Sequence, residues 1–409
     1  MGIKILVLSQ TFWPDTVSTA QHLHDLTVNL SKRGHEIDLI TSIRNYENPK
    51  NKFKKVEMYE NIRVIRLNNT GLGKSNKLFR LLDFLSFNLL IIIKLTSYLF
   101  RKYDCVIGMT SPPLLSYIGV IYSKIIRSNF VYWTMDLQPE LSIIANYVKK
   151  DSFFAKSLQK KGDYIFRHSK LIFALDKYMK NHIIKRQPHI HLDKIKVIPV
   201  WPVVNKEFKE HRLKNPFRIQ NNFGSKIVVM YSGNHSVMHP IDTLLESAKE
   251  LKSDNRFLFV HIGGGVRIKE VKNFKEKHQL DNIITLAYQP RENIHLSLGS
   301  SDIQVVTLGN ECVGYTHPNK IYGAMFLGKP VLYIGPKNSH ITDILSEIKG
   351  NILVSHGEKD KLVKHLTDFA NAYFNTSNIA LEENKNYALN HFKPSILVNK
   401  MIDEIEKLK

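Results

Sequence analysis

The sequence predicts an α/β fold made of two doubly wound, mostly parallel sheets, and three features of the chain lead to it. Short apolar runs such as Ile3 to Ser9 recur along the chain, and runs of this kind suit strands buried on both faces. Stretches with helical periodicity separate them, as in consecutive βαβ units. The alternation then restarts after a proline-containing stretch, 201–224, in a chain of 409 residues. A single core rarely grows past about 250–300 residues, so two domains are expected.

In the first half, Ile3 to Ser9 is the first strand, and the loop from Gln10 to Ala20 leads into a helix that stops at Gly34. G-x-G-x-x-G is absent from this first turn, so it is not a nicotinamide fingerprint; Thr16, Ser18 and Thr19 offer hydroxyls and helix N-terminal amides instead. His35 to Ser42 is the second strand, 45–60 reads as an exposed lysine-rich loop, and Ile62 to Leu67 is the third strand. Further strands follow at Tyr103 to Met109, Asn129 to Met135, Lys170 to Leu175 and Lys194 to Val200. Asp136, Pro139 and Glu140 come just after one of them, and Asp176 opens a helix.

Between the third and fourth strands lies the apolar segment Asn76 to Lys102. Asp83, Asn88 and Lys94 interrupt it, so no run reaches the ~18–20 apolar residues of a membrane span. On a helical wheel Lys77, Arg80, Lys94, Arg101 and Lys102 gather on one side. The expectation is a basic outward face, either meeting lipid or lying in water over a packed helix.

The second half repeats the pattern with strands at Ser225 to Asn234, Arg256 to Gly265, Asn282 to Tyr288 and Asp302 to Leu308, and its tail is helical. Thr307 to Gly335 stands out: a strand end, an irregular loop, a helix opening at Pro318 and a second strand from Val331 to Ile334. Asn319 and Lys320 follow that proline, so amides, a helix dipole and an ammonium would converge as an anion site, most naturally for phosphate. Turns at Ser232-Gly233-Asn234 and Gly263-Gly264-Gly265 also lie at strand C-terminal ends, where open α/β sheets bind ligands. With two such sheets, the expected ligand site is a cleft between their strand C-terminal ends. The expected domains are 1–205 and 206–387, with a tail helix over 388–409 crossing back to the first.

Lys and Arg number 58 against 37 Asp and Glu, a net charge of +21. Such an excess suits a polyanionic partner: nucleic acid, an anionic lipid surface or a phosphorylated substrate. The lysines are dispersed and no nucleic-acid motif is present, which disfavours nucleic acid. Cys105 and Cys312 are far apart without metal-ligand spacing, and no signal peptide precedes the first strand, so a reducing cytoplasm is expected.

Taken together, several stretches resemble the retaining glycosyltransferases of family 4, which have the GT-B fold of two Rossmann-like domains. They include Phe12-Trp13-Pro14, Ser111-Pro112-Pro113, Asp136 to Glu140, Tyr231 to Asn234, Tyr288 to Arg291 and Pro318 to Gly323. The nearest subgroup in pattern makes bacterial surface polysaccharides and includes fucosamine transferases. The resemblance implies a nucleotide-sugar donor, most naturally a UDP-sugar, held mainly by the second domain, and an acceptor held by the first. It places the base near Tyr288 and Gln289, and the ribose and diphosphate near Gly263, Arg267, Asn319 and Lys320. It also implies that the loop carrying Thr16 and Ser18 closes over the donor phosphates. Two departures stand out. Where many members have paired glutamates, this chain has Tyr315 and Gly323. Where many have an Arg/Lys phosphate clamp, it reads Asn234 to His239. Lys320, Arg267 or His239 would have to substitute, beside Gly233.

No D-x-D occurs in the chain. The expected chemistry is therefore metal-independent, with no cofactor, and Lys320 stabilises the departing diphosphate. Asp136 fills the subgroup's W-x-x-D-L-x-P position and would orient the acceptor hydroxyl or stabilise the oxocarbenium-like centre. The expected acceptor is a lipid-linked (polyprenyl diphosphate) saccharide, with the enzyme peripheral on the inner face of the cytoplasmic membrane. A nucleotide-sugar epimerase on the same fold and a basic membrane- or nucleic-acid-binding protein are the alternatives.

Overall fold

A computed structural model of the protein describes residues 2–73, 77–204, 206, 211–373 and 379–409. The chain divides into two compact units: 1–200 with 314–317 and 394–409, and 201–313 with 318–393.

The first unit is built on eight strands: β1 (Lys4–Leu8), β2 (Glu36–Ser42), β3 (Val56–Tyr59), β4 (Ile62–Leu67), β5 (Cys105–Met109), β6 (Asn129–Trp133), β7 (Leu171–Ala174) and β8 (Ile195–Val197). Their order across the sheet is β3-β4-β2-β1-β5-β6-β7-β8. Every pairing is parallel except β3 with β4. Residues of β5 and β7 are buried throughout, which is why these strands read as continuous apolar runs with no alternation. Helix starts follow local chemistry. Ser152 caps Phe153–His168 by accepting from the Ala155 amide, and Asp176 caps Lys177–Arg186 through the Met179 amide at 2.8 Å.

The strand β3 corrects the expectation of a bare loop over 45–60. Its residues alternate between exposed and half-buried, so it forms an antiparallel edge strand, and the surrounding lysines hid that short period-2 signal. The tail helix Pro394–Glu406 belongs to this unit, where Arg33 pairs with Asp403 at 2.6 Å and Lys196 with Glu404 at 3.2 Å. Asn76 lies outside the described residues, so the expected segment is described from Lys77 onward.

Among its described residues the second unit has six strands: β9 (Ile227–Ser232), β10 (Phe257–Ile262), β11 (Ile283–Leu286), β12 (Ile303–Thr307), β13 (Val331–Ile334) and β14 (Ile352–Val354). All pair in parallel, in the order β11-β10-β9-β12-β13-β14. Leaving β3 aside, the first sheet begins with the same pattern of a reversal beside its first strand, the doubly wound dinucleotide-fold order. Two sequences without a detectable repeat thus give one topology twice. Apolar clusters built around Val229, Phe259 and Leu332 and around Phe223, Val228 and Val260 carry the core of this unit.

The stretch 201–224, expected as a linker, is integral to the second unit from Trp201, five residues before the expected boundary. Asn215 caps the short helix Pro216–Gln220, and the buried Arg218 donates to Ser300 and to Asp302, itself buried. Residues 205 and 207–210 of that stretch lie outside the described residues.

Candidate functional site

The C-terminal ends of β11, β10, β9 and β12 are neighbours at one edge of the second sheet, and four loops leave from them. The loops after β9 and β10 are tied together. Gly233 N–H donates to Ile262 O at 2.9 Å, His235 N–H to Gly264 O at 2.7 Å, and Arg267 N–H to His235 O at 2.9 Å. At Gly263 (φ +123°) a Cβ would stand 2.2 Å from Gly233 O, so only glycine fits. Gly233 has φ +132°, and a Cβ there would stand 2.8 Å from Lys320 Cε.

Lys320 is the first residue of the helix Lys320–Phe326. The helix opens two residues later than expected: Pro318 precedes the cap residue Asn319, whose side chain makes no capping bond. From that start the lysine reaches the β9 turn, with Nζ 4.8 Å from the centroid of the Tyr231 ring. Among the described residues no carboxylate pairs with it, and burial alone pushes its ammonium down to about 8. A partly desolvated cation with no counter-charge favours an incoming anion.

The other cations expected at this edge behave differently. Arg267 gives Nη2 to Asp242 at 2.8 Å and Nε to Glu270 at 2.7 Å, so two carboxylates already balance its charge. His239 sits beside the lysine, with Nδ1 2.7 Å from Thr307 O. A carbonyl only accepts, so Nδ1 carries the proton and Nε2 is left as an acceptor. Burial and the Lys320 charge push His239 down to about 3. A neutral imidazole with an acceptor nitrogen does not serve as a phosphate cation; it suits a hydroxyl. Burial and Lys320 also push His235 down to about 4, and its Nε2 lies 3.2 Å from Nδ1 of the buried His261. Tyr288 lies over the glycine turn after β10, its ring 3.0 Å from where a Gly264 Cβ would stand, and 43 % of it is exposed. The ring is thus partly exposed at the predicted base position. Neighbouring Gln289 donates to Ala287 O at 2.9 Å.

In the first unit Asp136 lies three residues past β6. Thr316 Oγ1 donates to its Oδ1 at 2.8 Å. Burial raises the Asp136 carboxyl, while that hydroxyl and the nearby His317 pull the other way. His317 Nδ1 is 2.8 Å from Asp176 Oδ2, both side chains buried, in a segment (314–317) that follows β12 in the chain yet belongs to the first unit. His317 thus pairs within the first unit, whereas Lys320 belongs to the second. Thr16 and Ser18 are exposed at the start of the helix Ser18–Lys32, where Thr16 O accepts from Gln21 and Ser18 Oγ lies 3.2 Å from His22 Nδ1.

Sequence reasoning missed Tyr231 as the platform under Lys320, Thr316 and His317 as partners in the first unit, and the carboxylates on Arg267. The Asp242 and Glu270 spacing to Arg267 was readable only in part, through the i,i+3 pair with Glu270.

Residues 214–386 match the family described as Glycosyl transferases group 1. The chain is 25% identical over 255 residues to the probable glycosyltransferase WbjE of Pseudomonas aeruginosa, an alignment covering 62% of this chain and 63% of that protein. Two solved structures share its fold. Anabaena Alr3699/HepE in complex with UDP and glucose matches with TM-score 0.73 at 16% identity, covering 99% of this chain and 100% of that one. Sucrose-phosphate synthase from Thermosynechococcus elongatus matches with TM-score 0.74 at 13% identity, covering 99% of each. The second unit thus holds the stretch that matches the glycosyl transferases group 1 model, in a chain with the fold of the GT-B glycosyltransferases.

Proposed function

We propose that the protein is a retaining glycosyltransferase of family 4 that moves a sugar from a UDP-sugar to a lipid-linked saccharide during cell-surface polysaccharide synthesis. An N-acetylated hexosamine or deoxyhexosamine, as in the fucosamine-transferase-like subgroup, is the proposed sugar. The observation that carries the reading is Lys320, a desolvated ammonium without a carboxylate partner among the described residues, set against glycine turns at the strand C-terminal edge of the second sheet. UDP as the leaving group is supported by the Anabaena structure, which holds UDP and glucose.

In this reading the second unit binds the donor, with Tyr288 and Gln289 at the base, and Gly233, Gly263, Asn319 and Lys320 at the ribose and diphosphate. Arg267 acts by bracing the turn through Asp242 and Glu270, and His239 accepts a hydroxyl. The bond between the anomeric carbon and the diphosphate oxygen breaks with its electron pair leaving on the diphosphate, where Lys320 and backbone amides stabilise the charge. The acceptor oxygen bonds to the same face of that carbon, and its proton passes to a diphosphate oxygen. The first unit supplies the acceptor side, Asp136 orienting the hydroxyl or stabilising the oxocarbenium-like centre and Thr16 and Ser18 contacting donor phosphate. The stabilisation needs no metal or cofactor in this reading, because the fixed lysine supplies the positive charge.

A lipid-linked acceptor puts the working enzyme on the inner face of the cytoplasmic membrane, and the net charge of +21 favours an anionic surface. Among the described residues no helix is long and apolar enough to cross a membrane. A thermal-shift panel of UDP, GDP, TDP and ADP tests the reading: UDP should raise the melting temperature most. Equal or absent shifts across the panel contradict it.

A further inference from the structure

The helix Lys77–Thr96 turns outward the side opposite to the one its basic residues suggest. Leu78, Leu85, Leu89 and Ile93 are exposed, whereas Phe87, Ile91 and Leu95 are buried and hold the helix to the first unit. Two of its cations lie on rings. Lys94 Nζ stands 4.6 Å from the centroid of Tyr98, and the Arg80 guanidinium 5.4 and 5.1 Å from those of Phe84 and Tyr147. The expected basic outward face is therefore corrected: core packing decides which side is hidden, and these cations stack beside that side. From the same helix Arg80, Asp83 and Phe84 wall a cavity, together with Gln10 after β1, Pro49 in the loop after β2 and Asn69 after β4. The cavity thus lies at the strand C-terminal edge of the first sheet, where doubly wound sheets take ligands.

Three polar groups of this wall are already committed within the unit. Asp83 accepts from Thr70 Oγ1 at 2.7 Å and from the amides of Leu72 and Gly73 at 3.0 and 2.9 Å. Arg44 donates to the carbonyls of Asn69 and Pro49. The Asn69 side chain accepts from Ser42 Oγ and donates to Thr70 O. Gln10 is different. It is only 8% exposed, its Oε1 is buried without a donor, and among the described residues its Nε2 makes no hydrogen bond either. A buried amide left unpaired is costly, and a ligand group that pairs with it recovers that cost.

Charge, size and chemistry together define what fits. Arg80 and Asp83 bring one charge of each sign, so the cavity suits an uncharged group. Its volume of about 40 Å³ holds about three waters at roughly 10–15 Å³ each, which is room for one substituent of a sugar and not for the ring. The Gln10 amide calls for a group with both a donor and an acceptor, and Pro49 and Phe84 call for an apolar end. An acetamido group has an N–H, a carbonyl and a methyl. A pair of hydroxyls lacks the methyl, and a carboxylate or phosphate is charged and offers no donor.

We propose that this cavity takes the acetamido group of an N-acetylated sugar in the acceptor saccharide, with Gln10 as the residue that selects it. This rests on the reading of the first unit as the acceptor side, and it names the class of the acceptor sugar.

The test is a titration of the full-length protein, followed by saturation-transfer NMR, with the methyl glycosides of N-acetylglucosamine, N-acetylgalactosamine, glucose and galactose. The wild type should bind each acetamido sugar roughly tenfold more tightly than its parent hexose, the scale of satisfying a buried amide. The strongest transfer should fall on the acetyl methyl. Gln10→Met, close in length but without the amide, should bring the two classes level. Equal affinity of the two classes for the wild type overturns the proposal, as does a Gln10→Met protein that keeps the preference. The donor sugar is the other source of such a group, so UDP-N-acetylglucosamine and UDP-glucose are compared on the same proteins. A preference that Gln10→Met abolishes for the UDP-sugars, with none among the free glycosides, overturns the assignment to the acceptor. The UDP thermal shift, read on both proteins without sugar, verifies that the variant is folded and reports separately on the glycosyltransferase reading.

Discussion

The ammonium of Lys320 stands 4.8 Å from the centre of the Tyr231 ring, at the turn that Gly233 keeps open. The ring face attracts the cation but does not neutralise it, so the strongest electrostatic gain still available to this lysine comes from an anion. If that anion is the departing diphosphate, Lys320→Met should lower kcat by about 10²–10³-fold, the scale for losing one fixed transition-state donor. Steady-state kinetics with a nucleotide-sugar, with circular dichroism to verify folding, provide the check.

A lysine lowered by burial gives donor binding a definite pH dependence. Below about 8 the ammonium of the free protein is charged, and binding a diphosphate raises its affinity for the proton. Affinity should therefore be flat from neutral pH to about 8, then fall by up to about tenfold per pH unit until the bound-state value is reached. His235 and His239, pushed down to about 4 and about 3, should add no step between pH 5 and 8. Calorimetric titration with a nucleotide-sugar across this range reads the profile, and Lys320→Met should remove the fall.

Gly233→Ala tests the turn itself. A side chain is strained at φ +132°, and its Cβ would press on Lys320 Cε at 2.8 Å. The variant should lose roughly 1–3 kcal/mol of stability together with most of its donor affinity. Chemical denaturation and titration with UDP measure the two effects on one sample.

Asp136 owes its carboxylate form in part to the Thr316 hydroxyl, while burial works against ionisation. Thr316→Val removes the hydrogen bond, so the Asp136 carboxyl should rise further and the acid limb of the kcat profile should move to higher pH. Asp136→Asn should depress activity at every pH while leaving UDP binding in the second unit intact.

Arg218 and Asp302 form a buried pair at 3.2 Å. Arg218→Met would remove one cation from Asp302, which keeps Arg212 at 3.0 Å, and remove a donor from the carbonyl of Ser300. A loss of about 3 kcal/mol in unfolding free energy is expected, in the range for breaking one side of a buried pair.

The strands were legible in the sequence because parallel strands buried on both faces leave continuous apolar runs, as in Cys105–Met109 and Ile303–Thr307. The short edge strand Val56–Tyr59 was not, since half its residues face water. Lys320 could be singled out from its place after a strand and a proline, but its platform could not: Tyr231 lies 89 positions earlier, and it takes the β9–β12 pairing to bring their neighbourhoods together. Arg267 looked available because a sequence does not reveal that Asp242 folds back onto it. The helix Lys77–Thr96 shows the same limit. Its wheel separates basic from apolar residues, yet cannot say which side meets the core.

The most direct measurement is a crystal structure of the protein grown with UDP. The diphosphate should lie at the turns of Gly233 and Gly263, with an oxygen within about 3 Å of Lys320 Nζ. A diphosphate bound on the first unit, or on the second unit out of reach of that lysine, would contradict the assignment.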